Sequence, residues 1–217
     1  MRRDWVPLSA SALVIGAMCL VFGSILNPSE AGASTAETFR VVEEDSARWL
    51  AMGVMFFLAS LTLTLGLPAV LTLFEQRGRL LGLTGLAVFA VGAIGMSGYA
   101  MLMVFFRAMV VAGALRGSVS LKEVSSDPGL SVFLQGWIFG FYGGILLIAL
   151  ALLRSRTTST WVPWLMIGFV VALPFSDEFG RFGGAVLILM LAVAFTGIAM
   201  AAVTSDHRTR MASQPAF

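Results

Sequence analysis

Two carboxylates and a guanidinium fall within five residues in "PFSDEFGRFGG": Asp177, Glu178 and Arg181. Side chains of these types at this spacing suit a hard-cation site or acid–base work at a surface, and the acidic run Glu43, Glu44, Asp45 offers further carboxylates. A carboxylate-only metal site or an interfacial lipid-modifying enzyme would draw on this set. The plainer reading is a wet turn, with Asp177 and Glu178 at the positive N-terminal end of the following helix and Arg181 paired to one of them. Gln135 and Tyr142, two apolar stretches earlier in the chain, are the remaining polar pair that would line a small pocket; inter-helix hydrogen bonding is the simpler role for them.

Other chemistry finds few residues to use. Cys19 and His207 each stand alone, which leaves no disulfide, no cysteine-based metal cluster and no pair for haem or zinc. There is no G-x-S-x-G elbow, H-E-x-x-H, P-loop or dinucleotide fingerprint. No metal, cofactor or catalytic residue is therefore assigned, and a non-enzymatic role is expected. With net charge +2 and no basic run, nucleic acid is not an expected partner.

The elements that must carry these residues are apolar. Of 217 residues, 58% are hydrophobic and 12% charged, about half the charge of a soluble domain. Mean hydropathy is +0.91. A soluble core of this size cannot hide so much apolar surface, so the bilayer is the expected solvent. All but one of the 14 basic residues are arginine, which with the abundant Ala and Gly suggests a GC-rich bacterial genome.

Six segments are long and apolar enough to span: about 6–26, 49–74, 80–106, 130–152, 161–176 and 182–203. The first also resembles a signal peptide ending "AGA" at Ala33, but its apolar run exceeds a signal h-region and an uncleaved helix is the better reading. With the N-terminus inside, the inner face collects eight arginines against three carboxylates and the outer face six basic residues against nine carboxylates. The positive-inside rule then sets both termini in the cytoplasm of a bacterial inner membrane. Trp5, Trp161 and Trp164 fall at the inner boundary and Trp49 at the outer one. The expected fold is an all-α, six-span bundle over 1–203, with outer loops 27–48, 107–129 and 177–181. The loop 27–48 reads as polar and mobile, 107–129 as holding a short interfacial helix, and 204–217 as a disordered cytoplasmic tail.

Ionisable side chains are missing from the middle of every span, which lowers the expectation of ion-coupled transport. Ser60, Thr62, Thr64, Ser97 and Thr196 are expected to return their hydroxyls to their own helices. Glycine is more telling. Span four carries Gly136, Gly140 and Gly144 in tandem GxxxG spacing and span three carries Gly92, Gly95 and Gly98, so these two spans are expected to be the central packing helices. The same faces are candidates for a homo-oligomer or a membrane partner. Pro68 in "TLTLGLPAV" predicts a kink and is a hinge candidate. The arginine hairpins "RGR" and "RSR" echo one another, but any short cytoplasmic turn needs arginine, and a duplication is not inferred.

The stretches "LALLRSRTTSTWVPWLMIGFVVAL" and "LTLFEQRGRLLGLTGLAVFAVGAIG" resemble uncharacterised multi-pass membrane proteins common in actinobacteria. The resemblance covers most of the apolar region and implies a multi-pass bundle and no particular activity. The leading expectation is a small membrane subunit or scaffold that associates through its glycine faces. The alternatives are a small permease between the two hairpins and, third, an interfacial enzyme.

Overall fold

A chain with no soluble core available pairs its backbone groups within each segment, and the segments become helices. The computed structural model describes residues 5–28, 34–74, 78–115, 124, 126–175 and 183–212, with side chains as far as His207 in the last stretch. The helices are α1 (Trp5–Leu26), α2 (Thr35–Glu44), α3 (Ser46–Leu71, tightening into a 3₁₀ turn at Thr72–Phe74), α4 (Arg79–Val111), α5 (Pro128–Ser155), α6 (Trp161–Ala172) and α7 (Gly183–Ala212). The described residues contain no strand. Among the described residues five helices are long and apolar enough to cross a membrane, and a further apolar helix, α6, is shorter.

The ends have local causes. The Asp127 carboxylate accepts the Leu130 amide at 2.9 Å and Pro128 opens α5, a position where its missing N–H costs nothing. Gly78 takes a left-handed φ of 73° before α4, which an L side chain would resist. Arg156 takes the same conformation, φ 56°, where α5 stops.

Each apolar helix packs on the one before it, and α7 packs back on α1 to close the circuit. Phe74, Phe89, Phe169 and Phe195 fill the middle with Leu63, Ile145, Ile148 and Met166, all of them buried. The outward faces are apolar as well: Leu8, Leu65, Val91, Phe133 and Phe139 are exposed. A bundle that is oil outside as well as inside suits a hydrocarbon solvent.

Two expectations need correction. Residues 34–48 are helical rather than a mobile loop. Ser34 accepts the Glu37 amide at 3.2 Å, and "STAE" has capping-box spacing. From the helix so started, Phe39 and Val42 pack into a cluster with Trp49, Met52 and Val110. Trp49 is consequently a buried strut, its indole N–H donating to the Met103 carbonyl at 3.0 Å, while Trp5 and Trp164 stand exposed at the opposite end. The tail from 204 is helical to Ala212, because α7 runs on past its apolar stretch.

The helix pair α1–α3 shows how a proline is accommodated. Pro68 has no N–H for the Thr64 carbonyl and kinks are expected there. Ser9 of α1 reaches into this stretch. Its hydroxyl donates to the Leu65 carbonyl at 2.8 Å and accepts the Ala69 amide at 3.0 Å. Those two groups are the i and i+4 partners that an unbroken helix would pair with each other. Buried Ser9 thus bridges the turn that contains the proline. The other core hydroxyls behave as expected: Ser60, Thr62, Thr64, Ser97 and Thr196 bond carbonyls of their own helices at 2.6–3.0 Å. Ser9→Ala should lower stability in detergent by about 1–2 kcal/mol, because two backbone groups lose a bridge in a dry site. Ser11→Ala, which breaks only an exposed bond within α1, should stay within about 0.5 kcal/mol, and thermal unfolding followed by circular dichroism separates the two.

Candidate functional site

Two features have the shape of a site: the glycine seam that runs along α4 and α5, and a cleft beyond it at the α2 end of the bundle. In the seam the backbones touch. A methyl group on Gly140 would lie 2.8 Å from Gly92 Cα, one on Gly144 would meet Phe89 Cα at 2.5 Å, and one on Gly85 would meet the Ile148 amide nitrogen at 2.9 Å. Gly92 in turn faces the Phe141 amide, and Gly95 faces the Trp137 Cβ. Close approach of this kind supplies dispersion contact and Cα–H···O bonds where hydrophobic driving force is absent. By contrast, Gly98 and Gly136 are exposed and have nothing within 4 Å of a Cβ position.

The division follows from helix geometry. Residues four apart precess by about 40° around an α-helix and residues three apart by about 60° the other way. Over two steps Gly136 swings away from the face that holds Gly144, and Gly98 from the face that holds Gly92. The seam joins α4 to α5 intimately, but neither is the most enclosed helix. Half of the apolar window of α7 is buried, against 39% for α4 and for α5. Ala192, Ala194, Ala199 and Ala202 are buried on α7, and small side chains let neighbours close on a helix from several sides.

Above the seam a cleft of about 500 Å³ opens between α2, α3, α4 and α5, within the range of small-ligand pockets. Its walls are Trp49, Tyr99, Leu102, Met103, Phe106 and Leu134, with Thr38 of α2 at the rim. Almost every group on it is apolar; the Trp49 N–H bonds Met103 and the Thr38 hydroxyl bonds the Ser34 carbonyl at 3.0 Å, and the Tyr99 phenol is the remaining polar group of the lining. Phe106 lies 5.6 Å from Phe39 and 6.0 Å from Trp49, ring centre to ring centre. From the base of the cleft Tyr99 stacks on Trp137 at 5.2 Å, and Trp137 continues through Tyr142 to Phe169. The Trp137 indole nitrogen is buried without a hydrogen-bond partner.

Arginine holds the cleft's frame. Arg48 donates to the Leu26 and Ile25 carbonyls at 3.0 and 3.1 Å, closing the C-terminus of α1, and Arg107 donates to the Ser46 carbonyl at 2.7 Å, tying α4 to the α2–α3 corner. The Arg48 guanidinium sits on carbonyls that the C-terminal end of α1 leaves without amide partners, whereas Arg107 adds a second donor to a carbonyl in the first turn of α3. Sequence reading counted them only as outer-face charge. The signals for the cleft were present but oblique: the capping box of α2, and the aromatic and aliphatic residues Tyr99, Leu102 and Phe106 spaced along one side of α4.

Of the polar candidates Gln135, Tyr142, Asp177, Glu178 and Arg181, only Gln135 and Tyr142 fall among the described residues. Gln135 is exposed, Tyr142 is half-buried among Trp137, Phe141 and Phe169, and neither lines the cleft. Asp177, Glu178 and Arg181 lie outside the described residues. Among the described residues no three His, Cys, Asp or Glu side chains gather as a metal site would need. Pro68 sits on the α1–α3 side of the bundle, lining an external apolar groove with Trp5, Leu8 and Thr62.

Because the seam is intramolecular, its mutants should fail as folds. Gly92→Ala drives a methyl into the Phe141 backbone and should cost about 2–3 kcal/mol, while Gly136→Ala on the outward face should stay within about 0.5 kcal/mol. Thermal unfolding and gel filtration in mild detergent report both. Comparison of the chain with protein-family models, with curated proteins and with solved structures returns no match.

Proposed function

We propose that this chain is a non-enzymatic integral membrane protein of six spans, with both termini cytoplasmic, that acts as a small membrane subunit by holding a hydrocarbon chain in the cleft beneath α2. The observation that carries the reading is the cleft itself: about 500 Å³, walled by aromatic and aliphatic side chains, at the end of the bundle where an amphipathic helix lies across α4. A site with so few available polar groups selects by shape and apolar contact, which fits an acyl or isoprenoid chain better than a polar solute. The packed aromatic centre and the Ser9 bridge beside Pro68 favour a holding role over a conducting or hinged one. Association through glycine is narrowed to the outward pair Gly98 and Gly136, since the other four glycines of the two motifs already meet groups of the same chain.

Orientation rests on charge. Arg79, Arg154 and Arg156 flank the short connections at the end of the bundle opposite α2, while at the α2 end Arg40, Arg48 and Arg107 stand among Glu37, Glu43, Glu44, Asp45 and Asp127, with Arg48 and Arg107 bonded to main-chain carbonyls. The rule that basic loops stay in the cytoplasm places the α2 end outside, and α6, though short, completes the parity that brings α7 back.

Two experiments test this. A diazirine-bearing C16 fatty acid should crosslink saturably to peptides covering 99–109 and 130–134, with excess palmitate competing. Leu134→Trp, which fills the cleft, should abolish that labelling, and Leu150→Trp on an exposed face should leave it intact. Labelling that is non-saturable, or that survives Leu134→Trp, refutes the cleft. For orientation, single cysteines at Asp45→Cys and Ser159→Cys in a Cys19→Ser background should react oppositely with a membrane-impermeant maleimide on intact spheroplasts: 45 labelled at once, 159 only after lysis.

A further inference from the structure

At the end of the bundle opposite α2, the turn after α5 reads "RSRTTSTW", residues 154–161. It encloses a second cleft, of about 450 Å³, against the C-terminal part of α7. This one is polar. Arg156, Thr157, Thr158 and Ser159 line the turn side, and Thr204 and Ser205 line the α7 side. Its floor is apolar, with Val162 and the Trp161 ring packed so closely over Gly197 that an added methyl would lie 2.6 and 2.8 Å from them.

The donors are arranged unevenly. Thr204 gives its hydroxyl hydrogen to the Met200 carbonyl at 2.8 Å, and the Ser155 and Thr157 hydroxyls share one hydrogen bond of 2.8 Å. The Thr158 hydroxyl is different: the residue lines the cleft, and its oxygen is buried with no hydrogen-bond partner, an uncommon state. Arg156 stands at the rim, and no carboxylate among the described residues is paired with its guanidinium. It occupies a left-handed position, φ 56°, where glycine or asparagine is the ordinary choice. Asp206, the acidic residue described at this end, does not line the cleft. The turn also leads directly into the N-terminus of α6, whose dipole favours negative charge.

From the guanidinium, the orphaned Thr158 hydroxyl and the apolar Trp161–Val162 floor, we propose that this cleft binds a phosphate group. A guanidinium and hydroxyl donors together match a multi-acceptor anion. The group has two chemical sources, the head of an anionic phospholipid or free inorganic phosphate. The site is independent of the apolar cleft at the other end and stands or falls separately from it.

The test uses delipidated full-length protein in detergent, titrated with dioleoylphosphatidylglycerol, with dioleoylphosphatidylcholine of the same acyl chains, and with inorganic phosphate. Native mass spectrometry counts bound lipid, and thermal unfolding reports all three. A lipid source gives a one-to-one phosphatidylglycerol adduct and raised unfolding temperature, with little from phosphatidylcholine. A free-phosphate source gives the rise with inorganic phosphate alone. Arg156→Gly, which suits the left-handed backbone, and Thr158→Val, which removes the hydroxyl at nearly constant shape, should each weaken binding at least tenfold. Arg79→Gln, at the neighbouring hairpin, should leave it unchanged. The site is refuted if neither phosphate source binds, if phosphatidylcholine binds equally, or if Arg79→Gln weakens binding as much as Arg156→Gly.

Discussion

Hydrocarbon gives apolar side chains no reason to prefer one another to the solvent, so a bundle within it must be held by contact that lipid tails cannot match. Here that contact is backbone against backbone. At Gly92 and Gly140 two main chains come closer than any Cβ would permit, and the large rings follow from this. Once α4 and α5 are so near, Phe89 and Phe141 lie 5.0 Å apart, and Phe89 reaches Phe195 of α7 at 5.9 Å. The pair α1–α3 repeats the device, with Gly16 against the Leu63 amide and Gly66 against Leu13. Small residues set the distances and phenylalanines occupy what those distances leave.

Polar chemistry has been moved to the two ends, and each end uses it differently. At the α2 end, Arg48 and Arg107 are committed to helix carbonyls, and the space they frame is apolar. At the opposite end, a recess is lined by Arg156 and by hydroxyl-bearing residues, among them Thr158 with its unpartnered oxygen. The same residue type is a strut in one place and a candidate ligand contact in the other. What separates them is whether a main-chain acceptor lies within reach.

Five of the apolar helices were legible because hydropathy over twenty residues is a strong signal and those stretches carry it, whereas α6 is shorter. Hydroxyls bonding their own helix were equally legible, since their partners lie three or four residues away. The Ser9 bridge was not, because its partners lie 56 and 60 residues distant and nothing in "PLSAS" marks that serine over Ser11. Helix α2 was missed because an acidic, serine-rich loop reads as solvated, although Ser34 and Glu37 carried the start signal. The glycine motifs were read as a set, yet periodicity shows only which residues share a face. Which of those faces meets a neighbour depends on how far the helix turns before meeting it, and this separates Gly136 from Gly140. The charged cluster Asp177, Glu178 and Arg181 remains a feature of sequence alone.

The circuit closes through α1 and α7, which stand first and last among the apolar helices in this sequence. Assembly therefore has an order written into it. The α1–α3 and α4–α5 pairs join neighbours in the chain and become available as synthesis proceeds, but the gap between α1 and α6 stays open until the final helix arrives. That helix has the largest share of its apolar window buried, so its arrival buries surfaces that every earlier intermediate has to leave against lipid. A ribosome stalled before residue 183 would release a complete set of paired helices and an open bundle.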